Sequence, residues 1–145
     1  HVLELDTDGT EQAEHFINAV GEDLSGRLIP AVEVRLRGLY RLLPPDYYEA
    51  ADNLADFCDR IEKQYGVRPV IYCTERTYKN IVASDSRFNK DKIWYESLFS
   101  KPDENIDWTF WTYTNRVKFS FYESGKYLHM TVFNGSEDDF KKLII

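Results

Sequence analysis

The chain has 145 residues, of which 43% are hydrophobic and 15% aromatic, enough to bury the core of one domain. Its formal net charge of -7 argues against nucleic acid as a partner, because phosphate binding requires clustered lysine and arginine residues. No apolar run approaches the roughly 18 residues of a membrane span, and no basic segment followed by an apolar one marks a signal peptide. We therefore predict no membrane partner.

Predicted strands and helices alternate along the chain without repeats or low-complexity linkers. The longest predicted helix begins with a capping box of Asp46 and Glu49 and ends at Gly66. This alternation predicts a largely parallel sheet with helices outside it. In chain order we predict a strand at 2–5, a helix capped by Thr10 and ended by Gly21, a strand at 28–34, the long helix, a strand at 70–73, a helix from Thr74 to about 83, strands at 93–95, 107–113, 117–122 and 127–133, and a helix from Ser136.

The apolar run 28–32 of the strand at 28–34 is followed by two charged residues, Glu33 and Arg35. Alternation along a strand places Glu33 and Arg35 on the same face, so one carboxylate and one guanidinium project together at the strand end. One interpretation is an ordinary ion pair at the rim of a sheet. Because burying an unpaired charge is costly, we expect Arg35 to be paired with Glu33 or with another carboxylate.

Metal and thiol chemistry find little support in the sequence. Cys58 falls on the apolar stripe of the long helix and Cys73 ends the following strand, so a helix-to-sheet gap of roughly 10 Å predicts two separate buried thiols. No pair of histidines has metal-ligand spacing, and we predict neither a metal nor another cofactor. His129 remains a candidate acid or base, because imidazole exchanges protons near neutral pH, although such a histidine is more often a hydrogen-bonded filler.

Several motifs, taken in order, resemble those of a known family. They are His1 with residues 10–16, the Leu-Ile-Pro-Ala-Val-Glu-Val-Arg of 28–35, the Tyr-Gly-Val-Arg-Pro-Val-Ile-Tyr of 65–72, Ile93-Trp94, the Asp-Trp-Thr-Phe-Trp-Thr-Tyr-Thr of 107–114 and the Leu-His-Met-Thr-Val-Phe-Asn-Gly-Ser of 128–136. The family is glycoside hydrolase family 25, the Chalaropsis-type lysozymes (N-acetylmuramidases), which cleave the β-1,4 bond after N-acetylmuramic acid in peptidoglycan.

The resemblance implies a fold as well. Family members are TIM-like (β/α) barrels, and this sequence begins at what resembles their third strand. We therefore predict an α/β fold that is a partial TIM-like barrel lacking the first two strand–helix units. Residues 1–145 would form a single domain resembling the C-terminal three quarters of the family barrel. Two uncovered sheet edges would then favour a homodimer paired through them.

The resemblance also reveals changes at the catalytic positions. Where the family has Asp-x-Glu, this chain has Glu33-x-Arg35, and the glutamate usually taken as the general acid aligns with Arg35. The late-strand aspartate aligns with His129, so only Glu33 remains acidic among the aligned positions. Arginine keeps its proton at ordinary pH and cannot protonate a leaving group, whereas glycoside hydrolysis needs such an acid. The sequence therefore predicts inactive or impaired catalysis.

Aromatic residues near strand ends are candidate sugar contacts. In a barrel, substrate loops begin at these ends, and sugar rings stack on aromatic faces. We predict substrate binding by Tyr72, Trp111 and Tyr113, and core packing for Trp94 and Trp108.

Three hypotheses remain open. The chain is a lysozyme-type glycosidase with impaired chemistry, a non-catalytic relative that binds glycan or peptide, or an excised or engineered barrel fragment. By resemblance, the partner would be peptidoglycan or a related glycan, and the location would be extracellular or at the cell wall.

Overall fold

Five strands form one sheet in which spatial neighbours are also neighbours in sequence. The computed structural model describes residues 1–119 and 127–145. Its strands are β1 Ala31–Val34, β2 Val70–Thr74, β3 Ile93–Glu96, β4 Trp108–Val117 and β5 Leu128–Phe133. Its α-helices are α1 Gly9–Val20, α2 Tyr47–Tyr65, α3 Glu75–Thr77 and α4 Glu137–Lys141, with 3-10 turns at Gly38–Arg41 and Ser86–Phe88 and a π turn at Tyr78–Val82.

The first four strands run parallel, and β5 runs antiparallel to β4. The strand predicted at 2–5 is reduced to a parallel bridge between Val2 and Glu33. On either side of this bridge, Leu3 N donates to Glu33 O at 2.9 Å and Glu33 N donates to His1 O at 2.7 Å. Helical segments connect the Val2 bridge to β1, β1 to β2 and β2 to β3, whereas a loop without a helix connects β3 to β4. The architecture is the predicted one, an α/β fold built as part of a TIM-like barrel.

The helices cover one face of the sheet and form the core with it. Val32, Val34, Ile71 and Cys73 are buried on this helix face, against the fully buried α2 residues Leu54, Phe57 and Ile61. Each such side chain contributes about 1.5–3 kcal/mol by leaving water. The alternate strand residues Glu33, Tyr72, Trp94 and Phe110 are in register on the other face, which we call the site face.

The start of α1 differs from prediction, and the start of α2 has the predicted Asp46 cap without the return hydrogen bond from the Glu49 side chain that would complete a capping box. The N-cap of α1 is Asp8, whose side chain accepts from Glu11 N at 2.8 Å, so the predicted Thr10 cap is wrong. Asp46 caps α2 through Tyr48 N and Glu49 N, as expected from an aspartate at that position. Gly66 ends α2 with a φ of 74°, a left-handed conformation that favours glycine.

The strands near the C-terminus also differ from prediction. Instead of breaking near residue 114, β4 continues to Val117. The strand predicted at 117–122 thus begins inside β4, and its residues 120–122 lie outside the described part of the chain. Within that part, β5 pairs only with β4. The described sheet thus has two edges, β5 and, beside the Val2 bridge, β1, and the homodimer through sheet edges stays a prediction.

Both cysteines are free and buried, as predicted, and burial raises the pKa of each thiol. Within residues 1–119 and 127–145, no helix has the length and apolar character needed to cross a membrane.

Gly9 lies where α1 meets α2. A Cβ at this position would be 1.9 Å from Asn53 O and 2.9 Å from Phe57 N, both backbone atoms of α2. We expect Gly9→Ala to lower the free energy of unfolding by about 3 kcal/mol, because the two helices must separate to admit the methyl group. Urea denaturation measures the change. The exposed neighbour Thr10 provides the control, since Thr10→Ala should change stability by under about 0.5 kcal/mol. Equal stabilities would show that the helices do not meet there.

Candidate functional site

Strand register gathers polar side chains at the carboxyl ends of β1, β2 and β3. Glu33 pairs in register with Tyr72 on β2, and Tyr72 pairs with Trp94 on β3. Glu96 lies two residues beyond Trp94 on the same face. Arg35, two residues beyond Glu33, reaches across all three strands. We call Glu33, Arg35, Tyr72 and Glu96 the Arg35 cluster.

The guanidinium of Arg35 bonds to two carboxylates at once. Arg35 Nε donates to Glu33 Oε1 at 2.6 Å, and Nη2 donates to Glu96 Oε2 at 2.8 Å. Nη2 also lies 3.3 Å from Tyr72 Oη, and the guanidinium carbon lies 5.6 Å from the tyrosine ring centre. The side chain of Glu96 is 9% exposed, against 31% for Arg35. The expected pairing of Arg35 with a carboxylate is thus confirmed.

The cluster has fixed protonation states at neutral pH. Burial raises the pKa of Glu96, but hydrogen bonds from Arg35 and Tyr72 and the positive charge of Arg35 outweigh burial, so the net pKa lies below its ordinary value. Burial and the hydrogen bond to Glu96 raise the pKa of the Tyr72 phenol. Burial alone would lower the pKa of Arg35, yet its bonds to Glu96 and Glu33 raise it overall. Glu96 is therefore an ionised acceptor, while Arg35 and Tyr72 keep their protons.

Glu96 is the member of the cluster that sequence reasoning missed. The sequence predicts the buried strand Ile93-Trp94-Tyr95, and the acid that follows it is the signal for Glu96, since barrel sites are built at the carboxyl ends of strands. Tyr72 Oη donates a short hydrogen bond to Glu96 Oε2, which fixes this carboxylate beside Arg35. The site face thus holds a second carboxylate beside Glu33.

A cleft of about 450 Å³ opens beside this cluster. His129, from β5, lies on its wall and is close enough to Glu96 that its charge contributes to lowering the pKa of that carboxylate. The structure therefore brings together Glu33, Arg35, Tyr72 and His129, four of the residues predicted from sequence. We call this the arginine cleft; its lining residues are Glu33, Arg35, Leu36, Arg37, Gly38, Arg41, Tyr72 and His129.

Trp111 and Tyr113, the other two predicted sugar contacts, lie on the helix face. Trp111 pairs in register with Tyr95, a buried core residue, and its Nε1 donates to Ser97 O at 2.9 Å. Tyr113 contacts Trp111, with ring centres 5.8 Å apart, and is 41% exposed. They are therefore separated by the sheet from the Arg35 cluster.

Trp94 lies on the site face. Its ring centre is 4.9 Å from that of Tyr72 and 5.3 Å from that of Phe110, which makes an aromatic row across three strands. Trp94 Nε1 donates to Thr112 Oγ1 at 2.9 Å, which holds the indole in place. Trp108 packs against the core, as predicted. The row continues the surface of the arginine cleft along the site face.

Metal binding is not indicated by the described residues, 1–119 and 127–145, which contain no group of three or more His, Cys, Asp or Glu side chains placed to hold an ion.

Comparisons with known proteins agree with the resemblance seen in the sequence. The model of glycosyl hydrolases family 25 matches residues 1–120. A family 25 glycosyl hydrolase from Bacillus anthracis has 29% identity and a TM-score of 0.85, with 100% of this chain and 67% of that chain covered.

Two further solved structures share the fold at lower identity. A muramidase from Trichobolus zukalii has 19% identity and a TM-score of 0.75, with 95% of this chain and 67% of that chain covered. A bacterial lysozyme from Streptomyces coelicolor has 23% identity and a TM-score of 0.74, with 95% of this chain and 66% of that chain covered. No curated protein matches significantly. The family match over most of its length shows that this chain belongs to glycosyl hydrolases family 25.

Proposed function

We propose that this chain binds the glycan of peptidoglycan, or a related glycan, along the site face and does not hydrolyse it at the rate of a lysozyme. The observation that carries the proposal is the Arg35 guanidinium. It stands where the family resemblance places the general acid, and it bonds to both Glu33 and Glu96. As a domain, residues 1–145 correspond to the later strand–helix units of the family barrel.

The chemistry of the cluster supports binding over cleavage. Protonation of a glycosidic oxygen needs an acid whose proton is held loosely near neutral pH. Arg35 and Tyr72 hold their protons too tightly, and Glu96 has none to give, because its pKa lies below the ordinary value. The same groups remain good hydrogen-bond partners for sugar hydroxyl and amide groups.

The aromatic row supports a sugar-binding surface. Tyr72 lines the arginine cleft, and its ring lies beside Trp94 and below the Arg35 guanidinium. Aromatic faces of this kind accept the apolar faces of pyranose rings. A glycan along the site face would therefore contact Tyr72 and the polar Arg35 cluster together.

A second candidate function is hydrolysis through the two carboxylates. Glu33 and Glu96 both lie within hydrogen-bond distance of one guanidinium, and glycoside hydrolases work with two carboxyl groups beside the scissile bond. In this candidate Glu33 would act as the acid. The rate at which reducing ends are released from peptidoglycan, by the unaltered chain and by Glu33→Gln, separates the two candidate functions.

Binding is tested by co-sedimentation of the chain with purified peptidoglycan. We expect Tyr72→Ala to weaken binding roughly tenfold, the value of one aromatic–sugar contact. The matched control is Tyr113→Ala, which removes an exposed tyrosine from the helix face and should leave binding unchanged. Thermal unfolding verifies that both variants are folded. Equal binding by both variants, or no binding by the unaltered chain, would refute the proposal.

A further inference from the structure

The arginine cleft holds more positive than negative charge. Three guanidinium groups line it, those of Arg35, Arg37 and Arg41. Against them stand the carboxylate of Glu33 in the lining and that of Glu96 on the far side of Arg35. Arg35 bonds to both carboxylates, and the three guanidinium groups exceed the two carboxylates by one positive charge.

Arg37 and Arg41 keep donors free for a ligand. Arg37 is 56% exposed and has one ion pair, with its Nη2 3.3 Å from Glu33 Oε1. Arg41 is exposed, and its guanidinium has no carboxylate partner among residues 1–119 and 127–145. Each guanidinium carries five N–H donors, so most of those on these two side chains are available.

A short turn places the two arginines on the wall of the same cleft. Arg37 precedes the 3-10 turn Gly38–Arg41 and Arg41 is its last residue; Tyr40 N donates to Arg37 O at 3.1 Å within it. Gly38 has a φ of 52°, a conformation that glycine adopts at low cost. The local backbone thus fixes both arginines beside the cluster, within reach of one ligand.

A neighbouring cleft lacks the excess of positive charge. This space of about 380 Å³ shares Arg35, Arg37 and Gly38 with the arginine cleft but is also lined by Glu4 and Asp6. Tyr40 Oη donates to Asp6 Oδ2 at 2.7 Å, which holds that carboxylate in position. Its two carboxylates therefore balance its two guanidinium groups, and an anion finds an excess of positive charge only on the other side of the turn, in the arginine cleft.

We infer that the arginine cleft binds an anionic group, a carboxylate or a phosphate, carried by the glycan. The inference rests on the proposed function, because the glycan must lie along the site face for its substituent to reach Arg37 and Arg41. Guanidinium groups bind carboxylates and phosphates through paired charge-assisted hydrogen bonds. The chain as a whole carries a charge of -7, so attraction of an anion must come from this local excess of positive charge.

Matched probes test the inference by NMR titration of the whole chain. N-acetylmuramic acid and its methyl ester differ by one carboxylate, and N-acetylglucosamine 6-phosphate and N-acetylglucosamine differ by one phosphate. We expect at least one anionic probe to bind roughly tenfold more tightly than its neutral partner, with an advantage that shrinks as salt is added. The stronger of the two preferences identifies the anionic group.

Variants locate the site. Arg37→Gln and Arg41→Gln should each remove most of the anion preference, and the double variant should remove it. Arg27→Gln, which neutralises an exposed arginine before β1, should leave the preference unchanged. Equal affinity for charged and neutral probes, or a preference untouched by both cleft variants, would overturn the inference. If the anion preference holds but the chain does not sediment with peptidoglycan, the proposed function fails and the anion site stands.

Discussion

Replacing Arg35 with alanine should lower the free energy of unfolding by about 3 kcal/mol at pH 7 and reverse the dependence of stability on pH. The side chain of Glu96 is 9% exposed, and its partners are Arg35 and Tyr72. Removing one partner of a largely buried ion pair leaves an uncompensated charge, which is far more costly than loss of an exposed pair.

The pH dependence follows from the sign of the Glu96 shift. In the unaltered chain the pKa of Glu96 is lowered on folding, so its ionised form stabilises the fold above the unfolded-state pKa, and this stability is lost as pH falls through the folded-state pKa. In Arg35→Ala, burial remains while the positive charge is gone, and the pKa should shift above its ordinary value. That variant should therefore gain stability as pH falls from 7 toward about 5.

Chemical denaturation of both proteins between pH 4 and 7 measures this difference. Arg87 offers the matched control, because it also bonds to two carboxylates, Asp85 and Asp52, but is 44% exposed. Arg87→Ala should cost under about 1 kcal/mol and should not reverse the pH dependence. If Arg35→Ala follows the same pattern as Arg87→Ala, the Arg35 cluster is an ordinary surface network.

The second large effect concerns catalysis. We expect the chain to release reducing ends from peptidoglycan at least ~100-fold more slowly than a family 25 lysozyme assayed on the same walls, because a general acid contributes about 10²–10⁴-fold. Arg35, at the position of that acid, keeps its proton, and its ion pair with Glu96 favours the ionised form of that carboxylate.

A glutamine variant makes the hydrolysis assay decisive. Glu33→Gln keeps the shape of the side chain and removes its acid–base function. If the unaltered chain releases reducing ends and Glu33→Gln abolishes the release, hydrolysis through Glu33 and Glu96 replaces the proposed function. Release at the level of the buffer from both proteins is the result we expect.

The residues of the site whose placement depends on alternation along a single strand could be predicted from the sequence. Alternation along β1 places Glu33 and Arg35 on one face, and the structure confirms their pairing at 2.6 Å. Tyr72 and His129 also reach the arginine cleft as residues of predicted strands. The family motifs, spread along nearly the whole chain, identified the barrel architecture.

The residues whose placement was not predicted are those that depend on the register between neighbouring strands. The register between β3 and β4 shifts, since Ile93 pairs with Trp108 but Trp94 pairs with Phe110, and a shift of one residue reverses the face of every following side chain. Trp111 and Tyr113 therefore lie on the helix face, and because β4 continues to Val117 they lie inside the strand and not at its end. The role of Glu96 likewise depends on the register that brings β3 beside β2 and within reach of Arg35.

The central claim is that Arg35 keeps the carboxylate of Glu96 ionised, so that it accepts hydrogen bonds and does not donate a proton. Carbon-detected NMR titration of the Glu96 carboxyl group, assigned by its loss in Glu96→Gln, tests this most directly. We predict a pKa below the ordinary 4.5 in the unaltered chain and an upward shift in Arg35→Ala. A Glu96 carboxyl group that titrates above 4.5 in the unaltered chain, toward the range of a general acid, would contradict the account.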